Sequence, residues 1–257
     1  MAGGGLARAA LITGSAQRIG RAIALELAAD GWAVAIHYRR SAAAAEELAA
    51  QIGATGGQAV ALAADLVRES ETVGLIPAAA RALGPLGLLV NNASVFENDH
   101  ALSATRETWD RHLETNLRAP FVLMQEFARQ LPADREGAII NIVDERVWNL
   151  TPHFVSYTLS KAALWTLTQT MALALAPRIR VNAIGPGPTL PSPRQSDEQF
   201  RRQYEAMPLR RGTTPQEIAA AVRFILAAPA MTGQMIALDG GQHLGWAPGA
   251  AAPSALE

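Results

Sequence analysis

Residues 9 to 31 read AALITGSAQRIGRAIALELAADG. A short apolar run, Ala9 to Thr13, passes into a glycine turn, Gly14 to Gly20, and then into a segment in which Ile19, Ile23 and Leu27 recur every fourth residue before Gly31 stops it. The order is strand, tight turn, amphipathic helix. Gly14 and Gly20 let the backbone approach a pyrophosphate, and the helix start supplies free N–H groups and a partial positive charge. A glycine pair alone fits a plain turn equally well, but its place between the first strand and a helix makes it a nucleotide-binding candidate. Arg18 stands where a third glycine would, and its guanidinium suits phosphate oxygens or a substrate edge.

The same alternation continues outward. Apolar runs at 33 to 38, 58 to 64, 87 to 91, 138 to 143, 179 to 185 and 234 to 239 are mostly consecutive rather than alternating, as in strands covered on both faces. Helical patterns lie between them at 42 to 52, 68 to 83, 106 to 131, 155 to 176 and 215 to 227. The expectation is an α/β fold with one doubly wound parallel sheet, helices on both faces and right-handed crossovers. Its ligands bind outside the carboxyl ends of the strands. With 257 residues, one core is enough. The domain is expected over 1 to 246, with 188 to 210 as a lid on the substrate and an Ala/Pro/Gly-rich, frayed tail over 247 to 257.

Composition excludes several classes. A net charge of −1 gives no basic stripe for nucleic acid. The absence of cysteine removes disulfides and thiolate chemistry, and five histidines without ligand spacing argue against a metal site. No long apolar stretch or leader-like segment is present, so a soluble, cytoplasmic protein with no membrane partner is expected.

The strand ends carry the polar residues. After the second strand come Tyr38, Arg39, Arg40 and Ser41, two cations and a hydroxyl where an NAD-specific site places an acid. They suit a 2′-phosphate and favour NADPH over NADH. Asp65 and Leu66 follow the third strand, where a carboxylate can accept from an adenine amino group. Asn91, Asn92, Ala93 and Ser94 end the fourth, small and amide residues that permit backbone contact with a flat ring.

Of 22 Lys plus Arg, the single lysine is Lys161, and it follows Tyr157, one of only three tyrosines, by four residues. That spacing puts both on one helix face. An ammonium lowers a neighbouring phenol's pKa and bonds ribose hydroxyls where a guanidinium fork fits badly. A phenol titrating near about 10 is a poor acid-base catalyst at neutral pH, and beside a cation it comes into useful range. Thirteen residues before Tyr157, the apolar run Ile139 to Val143 stops at Asp144.

Taken together, TGxxxRxG at 13 to 20, Asp65, the NNAS run, Asn116, Tyr157-xxx-Lys161, Gly185-Pro186-Gly187 and Asp239-Gly240-Gly241 resemble the short-chain dehydrogenase/reductase family over nearly the whole chain. The resemblance implies a Rossmann-type seven-stranded sheet binding NADP(H) at Gly14, Arg18, Ile19, Gly20, residues 38 to 41, Asp65, Leu66, Asn92, Ala93 and Ser94, with Pro186 and Gly187 against the nicotinamide. It implies a catalytic set of Asn116, position 144, Tyr157 and Lys161, with Asn116 holding a water that links Lys161 to solvent. It also implies that 106 to 131 and 155 to 176 pair across a dimer within a homotetramer. Most of the family has Ser at position 144. An ionised carboxylate only accepts hydrogen bonds and would repel a carbonyl oxygen, so simple ketone reduction is disfavoured.

Pteridine reductases and dihydromonapterin reductases carry Asp there. This sequence is similar to them also in Arg18, in HYRRSAA at 37 to 43, and in Phe96, which matches the aromatic that stacks the pterin on the nicotinamide. The implied activity is NADPH-dependent reduction of a pteridine or folate-type C=N bond, with Asp144 and Tyr157 delivering the proton and Arg18, Ser94 and Phe96 against the substrate. A carbonyl reductase of the same family, and a non-catalytic NADP sensor, are the alternatives.

Overall fold

Seven strands pair in parallel in the order β3-β2-β1-β4-β5-β6-β7. They are β1 (Ala9–Ile12), β2 (Ala33–Tyr38), β3 (Ala59–Ala63), β4 (Leu88–Asn91), β5 (Gly137–Ile142), β6 (Ile179–Pro186) and β7 (Met235–Leu238). The computed structural model describes residues 5–191 and 195–245, so the tail expected over 247 to 257 lies outside the described residues, as do 192 to 194 of the expected lid. Every residue of β1, β4 and β5 is buried, which is why their sequences are apolar without alternation.

Alternate residues serve opposite layers. Ala10 and Ile12 face a cluster with Ile23 and Leu27 of α1 (Arg18–Ala29), Leu48 of α2 (Ala42–Ala54), and Ile218 and Val222 of α8 (Pro215–Ala227). Ala9 and Leu11 face Leu75 of α3 (Glu69–Leu83), Phe127 of α5 (Ala119–Gln130) and Met171 of α6 (Val155–Leu175). Strand order reverses at β1 and β4, opening a crevice at their carboxyl ends.

Two expected segments gain detail. The helix expected over 106 to 131 is α4 (Arg106–Leu113), a π turn (Glu114–Arg118) and α5. Pro120 has no N–H to give the carbonyl of Asn116, so the regular ladder fails there, and the wide turn buries Thr115 and Asn116. The segment expected as a lid, 188 to 210, contains α7 (Asp197–Glu205), opened by a capping box in which Ser196 and Gln199 satisfy each other's N–H.

A polar ladder crosses the apolar layer beneath α6. Asn91 Nδ2 donates to Asn141 Oδ1 at 2.8 Å, Asn141 Nδ2 to Thr168 Oγ1 at 2.9 Å, and Thr168 Oγ1 to the Leu164 carbonyl at 2.8 Å. It fixes α6 on the sheet in one register. Asn141→Ala strands both neighbours in a dry environment and is expected to cost about 1–3 kcal/mol in urea unfolding, with the far-ultraviolet circular dichroism unchanged.

Candidate functional site

At the end of β1 the chain turns through Gly14, at φ 62°, and the Gly14 N–H donates to His37 Nδ1 at 2.9 Å. An amide can only donate, so Nδ1 accepts and the proton sits on Nε2, 3.1 Å from the Ala64 carbonyl. Burial pushes the His37 pKa down and keeps the ring neutral. One imidazole thereby joins the carboxyl ends of β1, β2 and β3. Gly20 is equally constrained, since a Cβ there would lie 2.6 Å from Asn92 Nδ2 and from the Gly14 carbonyl. Asn92 Nδ2 bonds the Thr13 and Gly14 carbonyls at 2.8 and 3.1 Å, clamping the end of β4 to the turn.

The first turn of α1 has neither an acid nor a side-chain cap, whereas α4, α7 and α8 carry capping boxes. Its orphan N–H groups fit an anion. Arg39 and Arg40 are exposed at the end of β2 with no ion pair among the described residues, and the Ser41 hydroxyl makes no cap bond to α2. Tyr38 is half-buried against the core. Asp65 Oδ1 accepts only from Val67 N, at 3.3 Å, so the carboxylate has capacity for a further donor. The Leu66 side chain lies in the core, and contact from that position is left to its backbone.

Arg18 keeps a left-handed backbone, φ 54°, in the place where a glycine was expected to be needed. Its guanidinium crosses the cavity and donates to the Leu190 and Pro191 carbonyls, each at 3.2 Å. Beneath it lies a cavity of about 280 Å³ whose walls include Arg18, Ile19, Phe96, Asp144, Tyr157 and Lys161. Asn92, Ser94, Pro186 and Gly187 also line it.

The chemical groups converge at its floor. Tyr157 donates its hydroxyl to Asp144 Oδ2 at 2.6 Å, while Asp144 Oδ1 accepts from Arg146 N at 2.9 Å and so caps a short 3₁₀ turn, Glu145–Val147. Lys161 is buried, with Nζ donating to the Ile142 carbonyl at 2.9 Å and standing 5.8 Å from the Tyr157 ring. Desolvation lowers its pKa to about 8, and the Asp144 charge opposes that. The ammonium therefore persists at neutral pH. Phe96 stacks on Phe154 at 4.4 Å and 7° and meets the Tyr157 ring edge at 4.7 Å.

The Asn116 side chain is fully bonded. Its Nδ2 donates to the Val95 carbonyl and Ser160 Oγ, each at 3.0 Å, and its Oδ1 accepts from Val95 N at 2.8 Å and Ser94 Oγ at 3.2 Å. All four positions of the side-chain amide are used, so it docks the 94–95 segment on α6. Sequence reading missed Glu145 and Arg146, buried beside Asp144, and Gln195, Phe200 and Gln203, which line the cavity from the segment after β6. The Ser196-xx-Gln199 box was the signal for α7; a buried Arg146 gives none.

The family model described as short chain dehydrogenase matches residues 8–202. The chain belongs to the short-chain dehydrogenase family. Among solved structures, FolM alternative dihydrofolate reductase 1 from Brucella canis, in complex with NADP, has a TM-score of 0.91 and 49% identity, covering 94% of this chain and 96% of that one. A blue fluorescent protein from a metagenomic library, in complex with NADPH, has a TM-score of 0.86 and 30% identity, covering 92% and 98%. Among curated relatives, the 3-oxoacyl-acyl-carrier-protein reductase FabG of Staphylococcus epidermidis is 33% identical, covering 92% of this chain and 99% of that one. The short-chain dehydrogenase described here is thus an oxidoreductase, similar to reductases of two different substrate classes.

The buried lysine makes a stability prediction. Its folded pKa, about 8, lies below the usual 10.5, so the unfolded chain binds the extra proton between those values and stability rises with pH across them. Compared with Lys161→Met, the unmodified protein should gain roughly 2–3 kcal/mol from the lower to the upper value, read by urea denaturation at each pH.

Proposed function

We propose that this oxidoreductase reduces the C=N bond of a pteridine or folate-type substrate with NADPH, Tyr157 and Asp144 delivering the proton. The observation that carries the reading is the Tyr157 hydroxyl 2.6 Å from the Asp144 carboxylate, beside a buried ammonium. The FolM structures at 49% identity support the substrate class, and the NADP in them supports the cofactor.

The nucleotide fits the residues present. The uncapped start of α1 and the turn from Gly14 to Gly20 would hold the pyrophosphate, and Arg39, Arg40 and Ser41 the 2′-phosphate. Ile19, Asp65, the Leu66 backbone, Asn92, Ala93 and Ser94 would line the adenosine and ribose, with Pro186 and Gly187 at the nicotinamide. NADPH supplies a hydride to substrate carbon when bound.

The chain's own groups handle the proton. Asp144, accepting from the phenol, holds the proton on Tyr157 in the resting state, and Lys161 stabilises the phenolate left once that proton has gone to the ring nitrogen. Asp144 can also accept from a pterin amino group or N–H, which a ketone does not offer. Phe96 supplies the stacking face, and Ser94 and Arg18 flank the ring. Lys161 also serves the ribose hydroxyls, and Asn116 keeps α6 and the 94–95 segment together.

The FabG relatives favour the second reading, reduction of a 3-oxoacyl thioester. Asp144 weighs against it, because a carboxylate beside the phenol repels a carbonyl oxygen. NADPH oxidation measured side by side on dihydrobiopterin, dihydromonapterin, dihydrofolate and an acetoacetyl thioester should favour a dihydropterin or dihydrofolate. Tyr157→Phe and Asp144→Ser should each lower that turnover by ~10²-fold or more. Full turnover in Asp144→Ser, or preference for the thioester, sinks the assignment.

Replacing Arg39 and Arg40 together by Ala should cost NADPH ~10- to 100-fold in affinity and leave NADH nearly unaffected, as measured by cofactor fluorescence titration. The exposed Leu159 and Leu173 of α6 support the pairing of helices in a homotetramer, which sedimentation tests.

A further inference from the structure

On the far side of the Tyr157 ring lies a second polar cluster: Asp99, His112 and Ser156, all buried. Its hydrogen bonds fix every proton. The Glu97 N–H donates to His112 Nε2 at 3.1 Å, so Nε2 is an acceptor and the neutral ring carries its proton on Nδ1. Nδ1 lies 2.7 Å from Ser156 Oγ and donates to it, which leaves the Ser156 hydroxyl proton for Asp99 Oδ2, its short-range partner. The three residue types are those of a hydrolytic triad, but the order differs. Serine donates to the aspartate and not to the histidine, and all three are shut off from solvent, so no nucleophile is generated.

The chain ends on the first turn of α6. That helix starts from Phe154, in the left-handed region at φ 57°, without a side-chain cap of its own. Asp99 supplies the missing acceptors from outside. Its backbone carbonyl accepts from Phe154 N at 2.8 Å and Val155 N at 3.4 Å, and its Oδ1 from Ser156 N at 3.2 Å. A carboxylate there also suits the helix dipole. The next residue is Tyr157, whose ring meets His112 at 5.9 Å, and the Glu97 amide that begins the chain adjoins Phe96. A series of bonds thus joins the stacking face at Phe96 to the helix turn that aims the Tyr157 hydroxyl.

We propose that Asp99 and His112, acting through Ser156, are positioning residues for the Tyr157 hydroxyl, with His112 required as its Nδ1–H tautomer. The inference rests on Tyr157 being the proton donor. Burial, which holds the His112 pKa below its usual value, agrees with a neutral ring.

The two nitrogens of His112 can be tested separately. Asn reaches the position of Nδ1 and can donate to Ser156, Gln reaches that of Nε2 and can accept from Glu97, and Phe does neither. His112→Asn should keep kcat within about threefold of the unmodified enzyme, while His112→Phe and His112→Gln should lose ~10- to 100-fold in kcat with NADPH affinity unchanged. Equal kcat in the Asn and Phe variants, or a loss confined to NADPH binding, overturns the proposal. Nitrogen-15 correlation of the imidazoles in the unmodified protein, needing no variant to fold, should show His112 protonated on Nδ1; a proton on Nε2 also overturns it.

Tyr157→Phe and both substrate classes run in parallel separate this inference from the functional reading. If the thioester is turned over and the pterin is not, the substrate assignment fails while the His112 series still reads on Tyr157. If Tyr157→Phe retains full turnover, Tyr157 is not the donor and both fall.

Discussion

Parallel pairing of seven strands, covered on both faces, is the constraint from which the rest follows. All backbone groups in the centre are satisfied by neighbouring strands, and the side chains between the layers must be apolar, so polar chemistry is displaced to where the strands end. Because the strands are parallel, those ends lie on one edge. The glycine turn, the arginines after β2, the NNAS run, Asp144 and Pro186-Gly187 become neighbours although they span more than half of the sequence. Among the polar residues kept inside the sheet, His37 ties strand ends to each other, and Asn91 and Asn141, through Thr168, tie α6 to the sheet.

At that edge, opposing electrostatic demands are balanced on Tyr157. A carboxylate accepting from the phenol stabilises its protonated form, and a nearby ammonium stabilises the phenolate. Lys161 is held, against the desolvation that pulls its pKa to about 8, by the Ile142 carbonyl and the Asp144 charge. An arginine could not answer the same need, since five donors in a rigid fork require more acceptors than that burial offers. This accounts for the single lysine in a chain that otherwise uses arginine.

Local conformation at the site is set from outside the elements that carry it. Arg18 and Phe154 hold positive φ at the starts of α1 and α6, and neither helix has a side-chain cap within its own sequence. The N-terminus of α6 is satisfied by Asp99, from a loop more than fifty residues earlier. The orphan N–H groups of α1 face the crevice. By contrast, α4, α7 and α8 cap themselves with capping boxes.

Apolar periodicity alone determined the seven strands and the helices around them, because two-sided burial leaves a mark on every residue of a segment. The spaced motifs determined which strand ends matter, and the lone lysine beside Tyr157 marked the chemical group without any comparison. Tertiary structure decided what depends on distances between segments: the interruption at Asn116, where a proline four residues on removes a bond; the bonds from Arg18 to the Leu190 and Pro191 carbonyls; and the bond between Asp144 and Tyr157. It also decided that Asp99, His112 and Ser156 form one chain. Three ordinary polar residues have no sequence pattern in common, and only folding brings their donors and acceptors within reach of one another.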